Sequence, residues 1–231
     1  MTARSAAGGG VRAAGGALSR PALQPVRIPL TRERILRAAV EVADAEGLDA
    51  VTLRRLAEAL GVHPTSLYNH LPSKEAILDG MLDILFAEAQ LAPTVADWRA
   101  WVREFAGAMR KLARAHPGAF QVFTRRPAQG PVASAHSEAA LDSFRRAGFS
   151  PLQARDAVLG TALALLGLAL NETPSSGPWM EPDLGHLSAE RHPRIFEAYE
   201  AWAAQPADGD GAWRVVVESL IIGLGTALPE R

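Results

Sequence analysis

Between His63 and Lys74 the chain reads HPTSLYNHLPSK. Thr65, Ser66, Tyr68, Asn69 and His70 are short or planar hydrogen-bonding groups, suited to the edges of nucleobases and to phosphate oxygens. His63 and Pro64 open the run. Arg54 and Arg55 stand upstream and Lys74 follows Ser73, so cations flank it on both sides. No competing chemistry is written into the chain. There is no G-x-S-x-G, G-x-G-x-x-G, P-loop or H-E-x-x-H string, and no cysteine. His186 and His192 share a loop with Glu181 and Asp183 but lack the helical spacing of a metal-binding pair. No catalytic residue, metal or cofactor is therefore expected.

Such a polar row needs a rigid rod to present it, and the flanking residues supply one. Thr52 suits a helix N-cap, and Leu53, Leu56, Ala57 and Leu60 fall at i, i+3, i+4 and i+7. Gly61 provides a left-handed stop. Pro64 fits the first turn of a second helix, whose Leu67 and Leu71 face inward and which Pro72 ends. Ser73 can cap a third helix. This is helix-turn-helix punctuation, with the second helix placed to enter a DNA major groove. The bland alternative is an αα-hairpin with a solvated polar face, since such shapes also occur in enzymes.

The chain has 231 residues, enough for a small domain and a larger one, and a net charge of −1, which argues against indiscriminate coating of nucleic acid. Charge is uneven: residues 1–28 carry Arg4, Arg12, Arg20 and Arg27 and no acid. That segment lacks apolar periodicity and is expected to be disordered. It has no continuous apolar core for a secretory signal. Gly8–Gly10 with Pro21, Pro25 and Pro29 spoil the amphipathic helix of a transit peptide. A passive tail and a basic arm that touches DNA both remain open.

Beyond residue 90 the pattern is helical throughout. Asp97 can cap a helix carrying Trp98, Trp101, Val102, Phe105, Met109 and Leu112 on one face, ended by His116-Pro117-Gly118. A short helix over 119–125 and a further helix over about 132–147 follow. Ser150-Pro151-Leu152-Gln153 is a capping box that starts a helix running to about Asn171. Two more are expected over 194–204 and 212–228. The run Ala157–Leu170 is apolar all round yet shorter than the ~20 residues a bilayer requires, so no membrane span is expected. It is buried either within one chain or partly by a second copy, with Val215, Val216, Leu220, Ile221 and Leu224 as a second apolar surface. Trp98, Trp101, Phe105, Met109, Phe120, Phe123 and Trp179, with His136, Asn171 and Glu172 as polar groups, are candidates to line a pocket; core packing is the competing role for each.

The stretch from Leu30 to Ala89, with VTLRRLAEALGV followed by PTSLYNHLPSKEAIL, resembles the N-terminal domain of the TetR family of bacterial transcriptional repressors, most closely its tetracycline-repressor branch. Ser66 is extra to that branch's Pro-Thr-Leu-Tyr-x-His core and Asn69 replaces an aromatic, which implies a different operator. The later segment, with its Trp-rich helix, His-Pro and Ala-Gly-Phe-Ser-Pro, resembles that branch's C-terminal domain. The resemblance implies an all-α protein: a basic arm over 1–28, a three-helix DNA-binding domain with linking helix over 29–90, and an effector-binding and dimerisation domain over 91–231. It implies a homodimer whose interface includes Gly160, Leu163, Leu166, Gly167, Leu170, Val216, Leu220, Gly223 and Leu224. Two-fold symmetry then calls for a double-stranded operator that is an inverted repeat. The expected protein is a cytoplasmic repressor released by a small-molecule effector. Arg54, Thr65, Ser66 and Asn69 would read bases, while Thr52, Tyr68, His70 and Lys74 would hold phosphates. Tetracycline repressors take their drug with magnesium; His116 and His136 do not match that site. A small-molecule sequestering protein with a helix-turn-helix that does not bind DNA is the alternative from another class.

Overall fold

The computed structural model describes residues 29–92, 94–173, 184–204 and 210–227. The expected N-terminal arm and Trp179 lie outside these residues. The described residues form nine α-helices and no strand. The N-terminal head is built from α1 (Arg32–Glu46), α2 (Leu53–Leu60) and α3 (Pro64–Tyr68), and α4 (Lys74–Ala89) leads out of it. The body contains α5 (Trp98–Ala115), α6 (Pro131–Arg146), α7 (Pro151–Asn171), α8 (Pro193–Ala203) and α9 (Gly211–Thr226).

Local chemistry sets most boundaries. Thr31, Thr52, Ser73 and Asp97 each accept a hydrogen bond from a first-turn backbone N–H of α1, α2, α4 and α5. Ser150 and Gln153 form the reciprocal capping box of α7, with Pro151 at the first helical position. Stretch 119–125, expected to be a short helix, is a 3-10 helix over Ala119–Thr124. The largest revision is at α3, which ends at Tyr68. Asn69 and His70 form a turn in which the N–H groups of His70 and Leu71 both donate to Leu67 O, each at 2.9 Å. Pro72 biases Leu71 away from helical dihedrals and so shortens the helix.

A continuous core joins head and body. Ile35, Ala39 and Ala43 of α1, Leu56 of α2 and Leu67 of α3 are buried with Ile77, Met81 and Leu85 of α4. Burying a side chain such as Leu67 contributes about 1.5–3 kcal/mol. Below them Trp98 packs on Phe144 and Phe149, with ring centroids 5.4 and 5.7 Å away. One polar junction ties the parts together. His116 bonds through Nδ1 to Asp44 of α1 at 2.7 Å and through Nε2 to Glu88 of α4 at 2.8 Å. Asp44 also accepts from the backbone N–H groups of Gly118 and Ala119. Gly118 has to be glycine there, because a Cβ would overlap the carbonyl of Ala43.

The helix α7 spans 21 residues and is long and apolar enough to cross a membrane. The shortness argued from Ala157–Leu170 therefore does not hold for the whole helix, which starts at Pro151 and includes Arg155 and Asp156. Its Ala154, Ala157, Thr161, Leu165 and Ala169 are buried against its neighbours, at the spacing of one helical face. The opposite face is exposed and apolar.

Candidate nucleic-acid interface and effector cavity

The polar row is presented by a short, well-anchored element. Gly61 adopts φ 64° and ψ 36°, and its N–H closes α2 on the carbonyls of Ala57 and Glu58. His63 then caps α3: its Nδ1 lies 3.4 Å from the Thr65 amide nitrogen and 2.9 Å from Thr65 Oγ1. Imidazole capping was not legible in the residue pattern, which placed His63 with the DNA contacts only. Leu67 and Leu71 pin the element to the core. Thr65, Tyr68, Asn69 and His70 are exposed, Tyr68 at 54% despite its size. Pro64 and Ser66 are half-buried, and Lys74 is exposed at the start of α4.

The two arginines of α2 differ. Arg54 is highly exposed and pairs with Glu58, one turn on, at 3.2 Å. Arg55, also expected at the DNA, grips Glu46 at the end of α1, its Nε 2.9 and 3.0 Å from the two carboxylate oxygens. That hydrogen bond holds the Glu46 carboxyl below its ordinary range. Arg55 thus fixes α2 against α1, because a guanidinium matches a nearby carboxylate with both edges. Thr52 likewise spends its Oγ1 on the Arg55 amide, 3.1 Å away.

A cavity of about 410 Å³ opens among α4, α5, α6 and α7. Phe86, Trp101, Phe105, Leu141, Val158 and Ala162 supply apolar wall, while His136, Ser137 and Arg155 are its polar members. Trp101 and Phe105 stack at 5.2 Å with planes 15° apart. Burial pushes the His136 imidazole below its ordinary value. Of the expected lining residues, Trp101, Phe105 and His136 are there. Trp98, Met109 and Phe120 are packed in the core instead. Phe123 sits behind the wall, edge-on to Phe86 at 5.5 Å. Asn171 lies at the end of α7, away from the lining, with a buried Oδ1 that has no partner among the described residues. Glu172 is bound to Arg110, Arg114 and Trp213. Phe86 and the α7 residues were missed because they belong to helices read as a linker and as a dimer face.

Pro127 and Ala128, in the loop before α6, complete the wall. Both ends of that loop are held by α4. Arg126 Nε and Nη2 donate to the Asp79 carboxylate at 2.8 and 2.9 Å. One turn further along α4, the Asp83 carboxylate fills the space where a Cβ on Gly130 would stand. Burial raises the pKa of Asp83.

Comparison with known proteins matches this architecture. The sequence profile described as "Bacterial regulatory proteins, tetR family" matches residues 35–81, and "Tetracyclin repressor-like, C-terminal domain" matches residues 92–227. An HTH-type transcriptional regulator of Saccharopolyspora erythraea is 35% identical over 220 residues, covering 93% of this chain and 91% of its own. The HTH-type transcriptional repressor DrrR1 of Streptomyces coeruleorubidus is 33% identical over 178 residues, covering 76% of this chain and 62% of its own. The crystal structure of the TetR family protein ActR of Streptomyces coelicolor in complex with actinorhodin superposes with a TM-score of 0.72 at 26% identity, over 87% of this chain and 98% of that one. The chain therefore belongs to the tetR family of bacterial regulatory proteins and is a DNA-binding transcriptional regulator, not an enzyme.

Proposed function

We propose that the protein is a cytoplasmic repressor that binds an inverted-repeat operator as a homodimer and is released by a small molecule entering the cavity. The observation that carries this reading is the position of α4. It begins next to the exposed polar row of α3 and contributes Phe86 to the cavity wall. Residues 29–90 act as the DNA-binding unit and 91–231 as the effector and dimer unit. Thr65, Ser66 and Asn69, with Arg54, read base edges; Tyr68, His70, Lys74 and the hydroxyl of Thr52 meet phosphates. The crystallised complex of ActR with actinorhodin supports an organic effector in this body.

The exposed apolar face of α7 and α9 is the dimer face. Leu163 is 60% and Ile222 68% exposed in the single chain, with Leu159 and Val215 beside them. Gly160, Gly167 and Gly223 have open space where a Cβ would be, which lets another helix approach closely. Leu166, Leu170, Val216, Leu220 and Leu224 are half-buried at its edges. Pairing these faces sets two α3 elements apart by a fixed distance. A ligand that favours a different setting of α4 weakens DNA binding by its differential affinity, a coupling of about 1–3 kcal/mol.

A gel-shift titration against the DNA upstream of its own coding sequence, repeated over a salt series, tests this reading. Preference over random duplex is expected, together with a steep loss of affinity with salt. Equal binding to both duplexes removes the repressor reading.

A further inference from the structure

The polar side chains of the cavity wall are not equally free. Ser137 donates its hydroxyl proton to the carbonyl of Ala133 at 3.0 Å. Arg155 stands at the mouth, largely exposed, in an ion pair with Asp156 at 2.6 Å. The indole N–H of Trp101 can only donate. His136 differs from all three. It projects from α6 with its ring along that of Phe86, centroids 6.2 Å apart and planes 26° apart. Among the described residues neither of its ring nitrogens has a hydrogen-bond partner.

Burial keeps that imidazole uncharged at neutral pH, so it offers one donor and one acceptor. The surrounding wall is aromatic and aliphatic, and the stacked Trp101 and Phe105 add flat area. Among the described residues no carboxylate lines the cavity to receive a cation. An anionic ligand would have to compete with Asp156 for Arg155 and would otherwise face a neutral imidazole across an apolar wall. A neutral hydroxyl fits, because it satisfies an imidazole nitrogen without bringing charge into an apolar space. About 410 Å³ falls within the range of small-molecule sites.

We propose that the cavity takes a flat, uncharged aromatic molecule bearing a hydroxyl, and that His136 is the residue that selects the hydroxyl. This rests on reading the cavity as the effector site, but its test is of binding and not of operator release.

Equilibrium dialysis of the full-length protein compares 2-naphthol with 2-methylnaphthalene, which has a methyl in place of the hydroxyl. Wild type is expected to hold 2-naphthol about tenfold more tightly. His136→Phe should bind both equally, with affinity for 2-methylnaphthalene within about twofold of wild type. His136→Gln, which restores a donor and an acceptor, should recover most of the preference. Equal binding of the two probes by wild type overturns the proposal, as does a preference that survives in His136→Phe. Binding of neither probe overturns it as well. If the preference holds while no ligand of this class changes operator affinity, the selectivity of His136 stands and the effector role of the cavity fails.

Discussion

Arg126 donates to both carboxylate oxygens of Asp79, and this one pair ties the loop that walls the cavity to the helix that starts at the DNA-reading head. The side chains are about one-third and one-half exposed, so solvent screens the pair and its worth to global stability is small. Its geometric effect is the larger one, because Pro127 and Ala128 of the cavity wall follow Arg126 directly. We expect Arg126→Ala to change the melting temperature by only a few degrees while altering operator affinity severalfold. Calorimetric melting paired with a gel shift checks this; an unchanged operator affinity would show that the loop does not set α4.

In the head, Asn69→Ala should lower affinity for the operator by about 1–3 kcal/mol and relax discrimination at one base pair, with little effect on random duplex. Lys74→Ala should weaken binding to every duplex alike and reduce the salt slope by about one. If Asn69→Ala weakens all sequences equally, Asn69 touches phosphate and not a base.

The proposed dimer face gives a cleaner readout. Leu163→Glu puts a charge on an exposed position of one chain, so the monomer should keep its helical content by circular dichroism. Sedimentation should then show a monomer, and operator affinity should fall more than tenfold because two heads no longer bind together. A dimer that survives this substitution places the interface elsewhere.

Acid should weaken the body through Glu172. Desolvation opposes ionisation of its carboxyl, but hydrogen bonds from Arg110, Arg114 and Trp213 outweigh it and lower the pKa below the ordinary 4.5. A carboxyl with a depressed folded pKa stabilises the native state above its unfolded value and loses that contribution as pH falls through the folded one. Glu172→Ala should therefore cost about 2 kcal/mol at neutral pH, since it leaves the Trp213 indole and Arg114 without their acceptor and Arg110 with Asp210 alone. The gap between variant and wild type should narrow as pH falls below the ordinary 4.5 and through the lowered folded value. Urea unfolding at a series of pH values measures it, and a gap that stays constant in acid would count against the network.

Local signals were legible in the residue order. The caps at Thr31, Thr52, Ser73, Asp97 and Ser150, the left-handed Gly61 and the prolines at 64 and 151 act within a few residues of themselves, so the order of α1 to α7 and the helix-turn-helix could be read directly. Tertiary structure decided everything that depends on residues far apart in the chain. Arg55 was paired with Glu46, Trp98 and Phe120 were drawn from the pocket into the core, and Phe86 of the linking helix became cavity wall. Hydrophobic periodicity says that a side chain leaves the water, but a buried ring in a packed core and one beside a cavity carry the same pattern. Only the separation of the helices that surround it tells the two apart.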